Sequence, residues 1–332
     1  MPASIEILNP NALQKILPLS AECQRQIQSF RETVASIIQS RSSQLLVITG
    51  PCSIDDESSA LEYATRLKEL QLSSPFLLCM RVYCEKPRSR LGWKGYAYPD
   101  AMESDPFKTI LRTRSLMLKI ASMGIPIATE FLDPFLKNYY QDLVSWGSIG
   151  ARTALSQVHR QLASGCDFPV GIKNTVYGQI DGAINGVYAA SKGQEYFALN
   201  EHGNLCLKKS AGNPYAHVVL RGGISGPNNT EKIIKETSWK LEQLALPSRI
   251  ILDCSHGNST KENCRQGENF KQALHLITKG NQSICALMLE SYLEGGRQSE
   301  DEVVRRYGVS ITDPCLSWEE TAQLLTTPLL KN

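Results

Sequence analysis

Apolar residues fall along this chain in two alternating patterns. Short, nearly continuous apolar runs, rich in β-branched residues, occur at 45–49, 76–82, 125–131, 148–151, 170–173, 216–220, 249–254 and 284–289. Runs that are apolar on both faces predict strands covered from both sides, as in a parallel sheet. Between most of them lie amphipathic stretches, among them 59–70, 109–123, 230–244 and 269–278, whose apolar positions recur at helical spacing. Strand–helix alternation predicts βα units, and eight of them predict a closed (β/α)8 TIM barrel rather than an open sheet. The fold class expected is therefore α/β. A G-x-G-x-x-G string after the first strand is absent, which argues against a dinucleotide-binding sheet. Residues 1–42 predict a helical N-terminal extension, because 11–17 and 21–38 carry apolar residues at helical spacing. Residues 193–210 break the rhythm. They read as two short strands about the turn His202-Gly203-Asn204, an insertion between barrel strands 5 and 6 within a barrel unit spanning 43–332.

Composition narrows the possible partners. The chain has 332 residues, 42% of them hydrophobic, which is ample for a barrel core. Its net charge is only +2 and no basic block occurs, so a nucleic-acid or other general polyanion binder is not expected. No segment approaches the roughly 18 continuous apolar residues of a membrane span. The N-terminus lacks the cationic start and apolar core of a secretion signal. Ten cysteines without a C-x-x-C pair, several of them inside apolar runs, predict reduced thiols in a cytoplasmic protein.

The ends of the apolar runs carry the chemistry. In a barrel, strand C-termini open into one mouth, where catalytic side chains gather. Cys52 follows the first run, His256 the seventh and Glu290 the eighth, with Asp313 in the loop beyond. This mixed sulfur, nitrogen and oxygen donor set predicts one divalent ion such as Mn2+, Fe2+, Co2+ or Zn2+. Arg81, Lys86, Arg88, Arg152, Lys173 and Arg221 lie at or just beyond strand ends as well. Inward cations repel one another and lose hydration, so such a cluster predicts a ligand bearing several negative charges. Two phosphates and a carboxylate match it; a neutral sugar does not.

The strings that hold these residues are G-P-C-S-I, R-V-Y-C-E-K-P-R-S with G-W-K-G, S-I-G-A-R-T with S-Q-V-H-R, P-V-G-I-K-N, L-R-G-G, D-C-S-H-G-N-S-T-K, E-S-Y-L-E-G-G-R-Q and S-I-T-D-P-C. In this order, from about Leu45 to the C-terminus, they resemble the type I 3-deoxy-D-arabino-heptulosonate 7-phosphate (DAHP) synthases, and most closely the feedback-regulated branch with an N-terminal extension. The resemblance implies condensation of phosphoenolpyruvate with erythrose 4-phosphate, the first step of the shikimate pathway. It implies Cys52, His256, Glu290 and Asp313 as metal ligands, and Arg81, Lys86, Ala151, Arg152, Lys173 and Arg221 around phosphoenolpyruvate. Lys86, Pro87, Arg88 and Ser89 would meet erythrose 4-phosphate, with Ser89 where the family commonly has Thr. Lys86 is expected to transfer a proton, because a lysine in buried, cation-rich surroundings shifts its pKa readily. Glu130 is expected to orient water. A homodimer or homotetramer is implied, with the extension serving oligomerisation or regulation.

Two departures concern control. Regulated relatives build an effector pocket partly from a segment after L-D, often P-Q-Y, and partly from the two-strand insertion. Here Lys137-Asn138 replaces Pro-Gln, and Leu199 stands where a small polar residue is expected. The effector-pocket positions are Phe135, Asn138, Phe197 and Leu199, a scaffold for control with altered chemistry. Two other readings compete: a sibling synthase that uses arabinose 5-phosphate, and a catalytically inactive aromatic amino acid sensor. The K-P-R-S string and the insertion favour the four-carbon sugar, and a dead sensor should have lost a ligand or a cation.

Overall fold

A computed structural model describes residues 4–100, 103–302 and 304–328. Eight parallel strands close into a barrel: β1 (Leu46–Gly50), β2 (Leu77–Arg81), β3 (Ile127–Glu130), β4 (Trp146–Ile149), β5 (Val170–Lys173), then β8 (His217–Leu220), β9 (Ile250–Asp253) and β10 (Ile284–Glu290). Each barrel strand except β2 is buried along its whole length, as its unbroken apolar run requires. The expected insertion is an antiparallel hairpin of β6 (Gln194–Leu199) and β7 (Leu205–Ser210), in the connection between the fifth and sixth barrel strands. Strand boundaries fall within two residues of the sequence expectation. The largest shift is at β4, where Gly147 and Ser148 dilute the apolar run and hide its true start at Trp146.

The helices Pro10–Ile16 and Ala21–Ile38 form the extension. The second is capped by Ser20, whose side chain accepts the Cys23 N–H. Its Phe30, Val34, Ile37 and Ile38 share one apolar cluster with Leu46, Ile48, Ala128, Trp146, Ile251 and Met288 of the barrel strands. The extension thus contributes to the barrel's own core. Burying those four side chains ties it to the fold by several kcal/mol at roughly 1.5–3 kcal/mol each. Three barrel helices, Gln157–Ser164, Asp181–Ser191 and Trp318–Leu325, carry a weaker signal in the sequence. The first and last have only eight residues, and the second is broken up by Gly182 and Gly186, so their helical periodicity is short or diluted. All ten cysteines are free, and no helix among the described residues is long and apolar enough to cross a membrane.

Candidate active site at the barrel mouth

Every strand-end residue singled out above is carried to the C-terminal rim. At the end of β1, Gly50 adopts φ +148°, and a Cβ there would lie 2.8 Å from the Arg81 carbonyl oxygen. Glycine therefore lets the chain turn into Pro51 and drop Cys52 under the mouth. The Cys52 Sγ, a Glu290 carboxylate oxygen and an Asp313 carboxylate oxygen all lie within 4.8 Å of one another. His256 adjoins this trio rather than completing it: its Nε2 is 3.3 Å from Glu290 Oε1, while its Nδ1 is 2.9 Å from Asp253 Oδ2. A carboxylate against Nδ1 favours the tautomer protonated there and leaves the Nε2 lone pair facing the trio. His256 reaches this position at φ +54°, a left-handed conformation that the D-C-S-H turn imposes.

Three acids gathered in a buried place repel one another, and this repulsion tests whether a cation fits. Burial, then the Glu290 carboxylate, pushes the Cys52 thiol up to about 11, with Lys86 opposing the rise. Lys86 Nζ donates to Cys52 Sγ at 2.7 Å. A divalent ion among Cys52, Glu290, Asp313 and His256 would relieve this repulsion and ionise the thiol, and the donor set fits a borderline metal.

Beside the trio opens a cavity of about 850 Å3. Arg81, Lys86, Arg88, Arg152, Lys173 and Arg221 all line it, together with Pro87, Ser89, Ala151, Glu130, His256 and Asp313. Cys52 and Glu290 are fully buried beside it. The cations are less mutually repelled than their sequence positions imply. Arg81 pairs with Glu290 at 3.0 Å and Lys173 with Asp253 at 3.2 Å, both deeply buried, while Arg88 pairs with Glu300. Among the described residues, Arg152 and Arg221 have no ion-pair partner. Arg221 is nonetheless buried, so its guanidinium is available to an anion in the cavity. Glu130 Oε1 is buried and has no hydrogen-bond partner among the described residues.

A family model described as the DAHP synthetase I family matches residues 21–326. The chain belongs to the DAHP synthetase I family. Among its relatives is the Tyr-sensitive phospho-2-dehydro-3-deoxyheptonate aldolase of Escherichia coli strain K12, 42% identical over 325 residues, covering 96% of this chain and 91% of that protein. A phospho-2-dehydro-3-deoxyheptonate aldolase of Corynebacterium glutamicum is 37% identical over 332 residues, covering 96% and 90%. The solved phospho-2-dehydro-3-deoxyheptonate aldolase of Francisella tularensis SCHU S4 superposes with a TM-score of 0.95 at 35% identity, covering 98% of this chain and 96% of that one.

The site differs from the sequence expectation in three respects. Lys86 was expected in cation-rich surroundings, but its near neighbours are acids. Burial opposes its charge, yet Cys52, Asp313 and Glu290 outweigh burial and hold the ammonium above the usual lysine range. Asp253 escaped notice, although it joins Lys173 to His256 and lies three residues before that histidine at a strand end. Finally, the four effector-pocket positions differ in burial. Asn138 Nδ2 donates to the Leu199 carbonyl at 2.8 Å, whereas Phe135 and Phe197 are 61% and 74% exposed. The hairpin register pairs Phe197 with Leu207 on its outer face, which is why Phe197 turns away.

Immediately before Lys86, Glu85 is buried, accepts the Asp133 N–H at 2.8 Å and accepts the Tyr140 hydroxyl. Burial pushes its carboxyl up from 4.5 to about 8, against the opposing pull of those two donors. The folded protein thus keeps a proton that the unfolded chain releases above about pH 4.5. The stability it contributes is complete below that pH and is lost as pH rises toward 8. Urea midpoints measured from pH 5 to pH 9 should therefore fall more steeply in the wild type than in Glu85→Gln. Parallel profiles would refute this protonation state.

Proposed function

We propose that this mouth condenses phosphoenolpyruvate with D-erythrose 4-phosphate and water, giving 3-deoxy-D-arabino-heptulosonate 7-phosphate and phosphate at the start of the shikimate pathway. The observation that carries the assignment of roles is the buried acid trio beside a cavity lined by six cations, of which Arg152 and Arg221 have no ion-pair partner among the described residues. Arg152, Arg221 and Lys173 hold the phosphate and carboxylate of phosphoenolpyruvate, with Arg81 locked against Glu290 behind them. Arg88 and Ser89 take the phosphate of the sugar. Ser89 is already tied to the first group, since Arg152 Nε donates to its Oγ at 3.1 Å. Holding both substrates by their charged ends sets the enol carbon of one against the aldehyde carbon of the other.

A divalent ion held by Cys52, His256, Glu290 and Asp313 would supply Lewis-acid polarisation of the aldehyde oxygen. As the new C–C bond forms, that oxygen gains negative charge, and the Lys86 ammonium donates a proton to it. Water then adds to the electron-poor carbon of the former phosphoenolpyruvate, oriented by the unpartnered Glu130 Oε1. The C–O bond to phosphate breaks and phosphate departs into the arginine cluster. Asp253 keeps Lys173 and His256 in place.

Nothing in the site favours arabinose 5-phosphate, and the ligands and cations that an inactive sensor should have lost are all present. The assay that tests the reading offers each sugar phosphate with phosphoenolpyruvate, after chelation and refilling with Mn2+, Fe2+, Co2+ or Zn2+ in turn. Product from arabinose 5-phosphate but not erythrose 4-phosphate would overturn it. Adding phenylalanine, tyrosine and tryptophan to the same assay asks whether the Asn138–Leu199 frame still serves an effector. A cytoplasmic homodimer or homotetramer completes the reading. The apolar outer face of the hairpin, with Phe197 and Leu207 exposed, supports self-association, which light scattering measures directly.

A further inference from the structure

One contact at the mouth ties a member of the cation cluster to an acid outside the trio. The Arg88 guanidinium is held from two sides. Its Nε donates to the Trp93 carbonyl at 2.7 Å, and its Nη2 pairs with the Glu300 carboxylate. Glu300 lies in the loop after β10 and lines the same cavity as Arg88. The pair is closely fitted: Gly92 sits at φ +156°, and a Cβ there would lie 3.1 Å from Glu300 Oε1 and 3.2 Å from Arg88 Nε.

The base of this loop is fixed. Gln298 is buried, donates to the Arg306 and Val309 carbonyls at 2.9 and 2.8 Å, and accepts the Arg306 N–H at 2.7 Å. The Arg305 guanidinium also donates to the Glu300 carbonyl at 3.3 Å. The Glu300 side chain is thus delivered to Arg88 by a rooted segment. It can release Arg88 by changing rotamer, without moving that root.

We propose that Glu300 is an intramolecular competitor for the sugar phosphate, a carboxylate that occupies Arg88 until the phosphorylated sugar displaces it. This inference rests on the reading of Arg88 as the cation for that phosphate. One guanidinium face cannot serve a carboxylate and a phosphate at once, and the two anions also repel each other. Each binding event must therefore break the Arg88–Glu300 pair, and the apparent affinity is reduced by the fraction of molecules in which Arg88 is free. A dianionic phosphate outcompetes a single carboxylate, whereas a neutral or weakly charged sugar does not. The latch would thus sharpen selection for a phosphorylated acceptor and leave phosphoenolpyruvate, held by other cations, untouched.

Steady-state kinetics on the full-length protein test this directly. Glu300→Gln should lower KM for erythrose 4-phosphate by about two- to fivefold, the range set by a partly exposed ion pair. The KM for phosphoenolpyruvate should not move. Glu300→Asp, which keeps the charge but shortens the arm, should act in the same direction and guards against a folding defect in the first variant. In an Arg88→Ala background, Glu300→Gln should lower KM less than it does in the wild type, because most of the gain passes through Arg88. An unchanged or raised erythrose 4-phosphate KM in both Glu300 variants would overturn the proposal, the raised value meaning that Glu300 positions Arg88 instead. Equal gains with and without Arg88 would overturn it too. A wild-type protein that forms no product from erythrose 4-phosphate would overturn the functional reading itself, and the latch with it.

Discussion

Cys52→Ala should leave a folded protein whose turnover has fallen about a thousandfold or more, and excess Mn2+ should not restore it. The size follows from the several kcal/mol that Lewis-acid polarisation of a reacting oxygen contributes, at about 1.4 kcal/mol per tenfold in rate. The direction follows from the site. Cys52 Sγ lies among Glu290, Asp313 and Lys86, so removing it deletes the soft donor from a mixed set and leaves two carboxylates and an imidazole. The same logic gives the wild type a pH-dependent affinity. Without metal, the thiol is pushed up to about 11, so binding must expel its proton, and affinity should weaken as pH falls. Elemental analysis separates this account from a packing defect. The wild type should retain about one ion per chain and melt higher with Mn2+, while Cys52→Ala should do neither. Full turnover in Cys52→Ala, or in a wild type stripped by chelator, would sink the assignment.

The barrel and much of its mouth were legible in the chain because the same physics writes both. A strand buried on both faces must be largely apolar, and its first charged residue marks where it reaches the barrel mouth. Arg81, Glu130, Lys173 and Glu290 all end barrel strands in this way. What stayed hidden depends on tertiary partners. The helical spacing of 21–38 is plain, yet nothing local says that Phe30, Val34, Ile37 and Ile38 meet barrel residues such as Ile48 and Trp146. Asp253 reads as one more acid until the fold sets it between Lys173 and His256. Glu300 is separated from Arg88 by 212 residues, and its loop carries no periodic signal. The control positions were harder to read for a different reason. Whether Phe197 faces the barrel or the solvent depends on hairpin register, which reverses with a shift of one residue.

Lys86→Met should lower kcat by about 10²- to 10⁴-fold, the usual worth of a positioned general acid. The methionine arm fills similar space, so the loss reports the missing ammonium rather than a cavity. The anionic surroundings of Lys86 make this a statement about an acid, not a base. Cys52, Asp313 and Glu290 hold the ammonium above the usual lysine range, so it stays charged through neutral pH and has a proton to give. One confounding route needs separating. Lys86 also opposes the upward shift of the Cys52 thiol, so its removal makes Cys52 harder to ionise and weakens metal binding. Measuring turnover at metal concentrations that saturate the variant divides the two effects. A deficit that persists at saturation belongs to the lost proton donor; one that vanishes belongs to metal affinity. Lys86→Arg should rescue little, because a planar guanidinium cannot reproduce the compact contact at Cys52 Sγ. Turnover in Lys86→Met within tenfold of wild type, with metal bound, would assign the proton to another group and leave Lys86 as a counter-charge for Cys52 and the incoming phosphates.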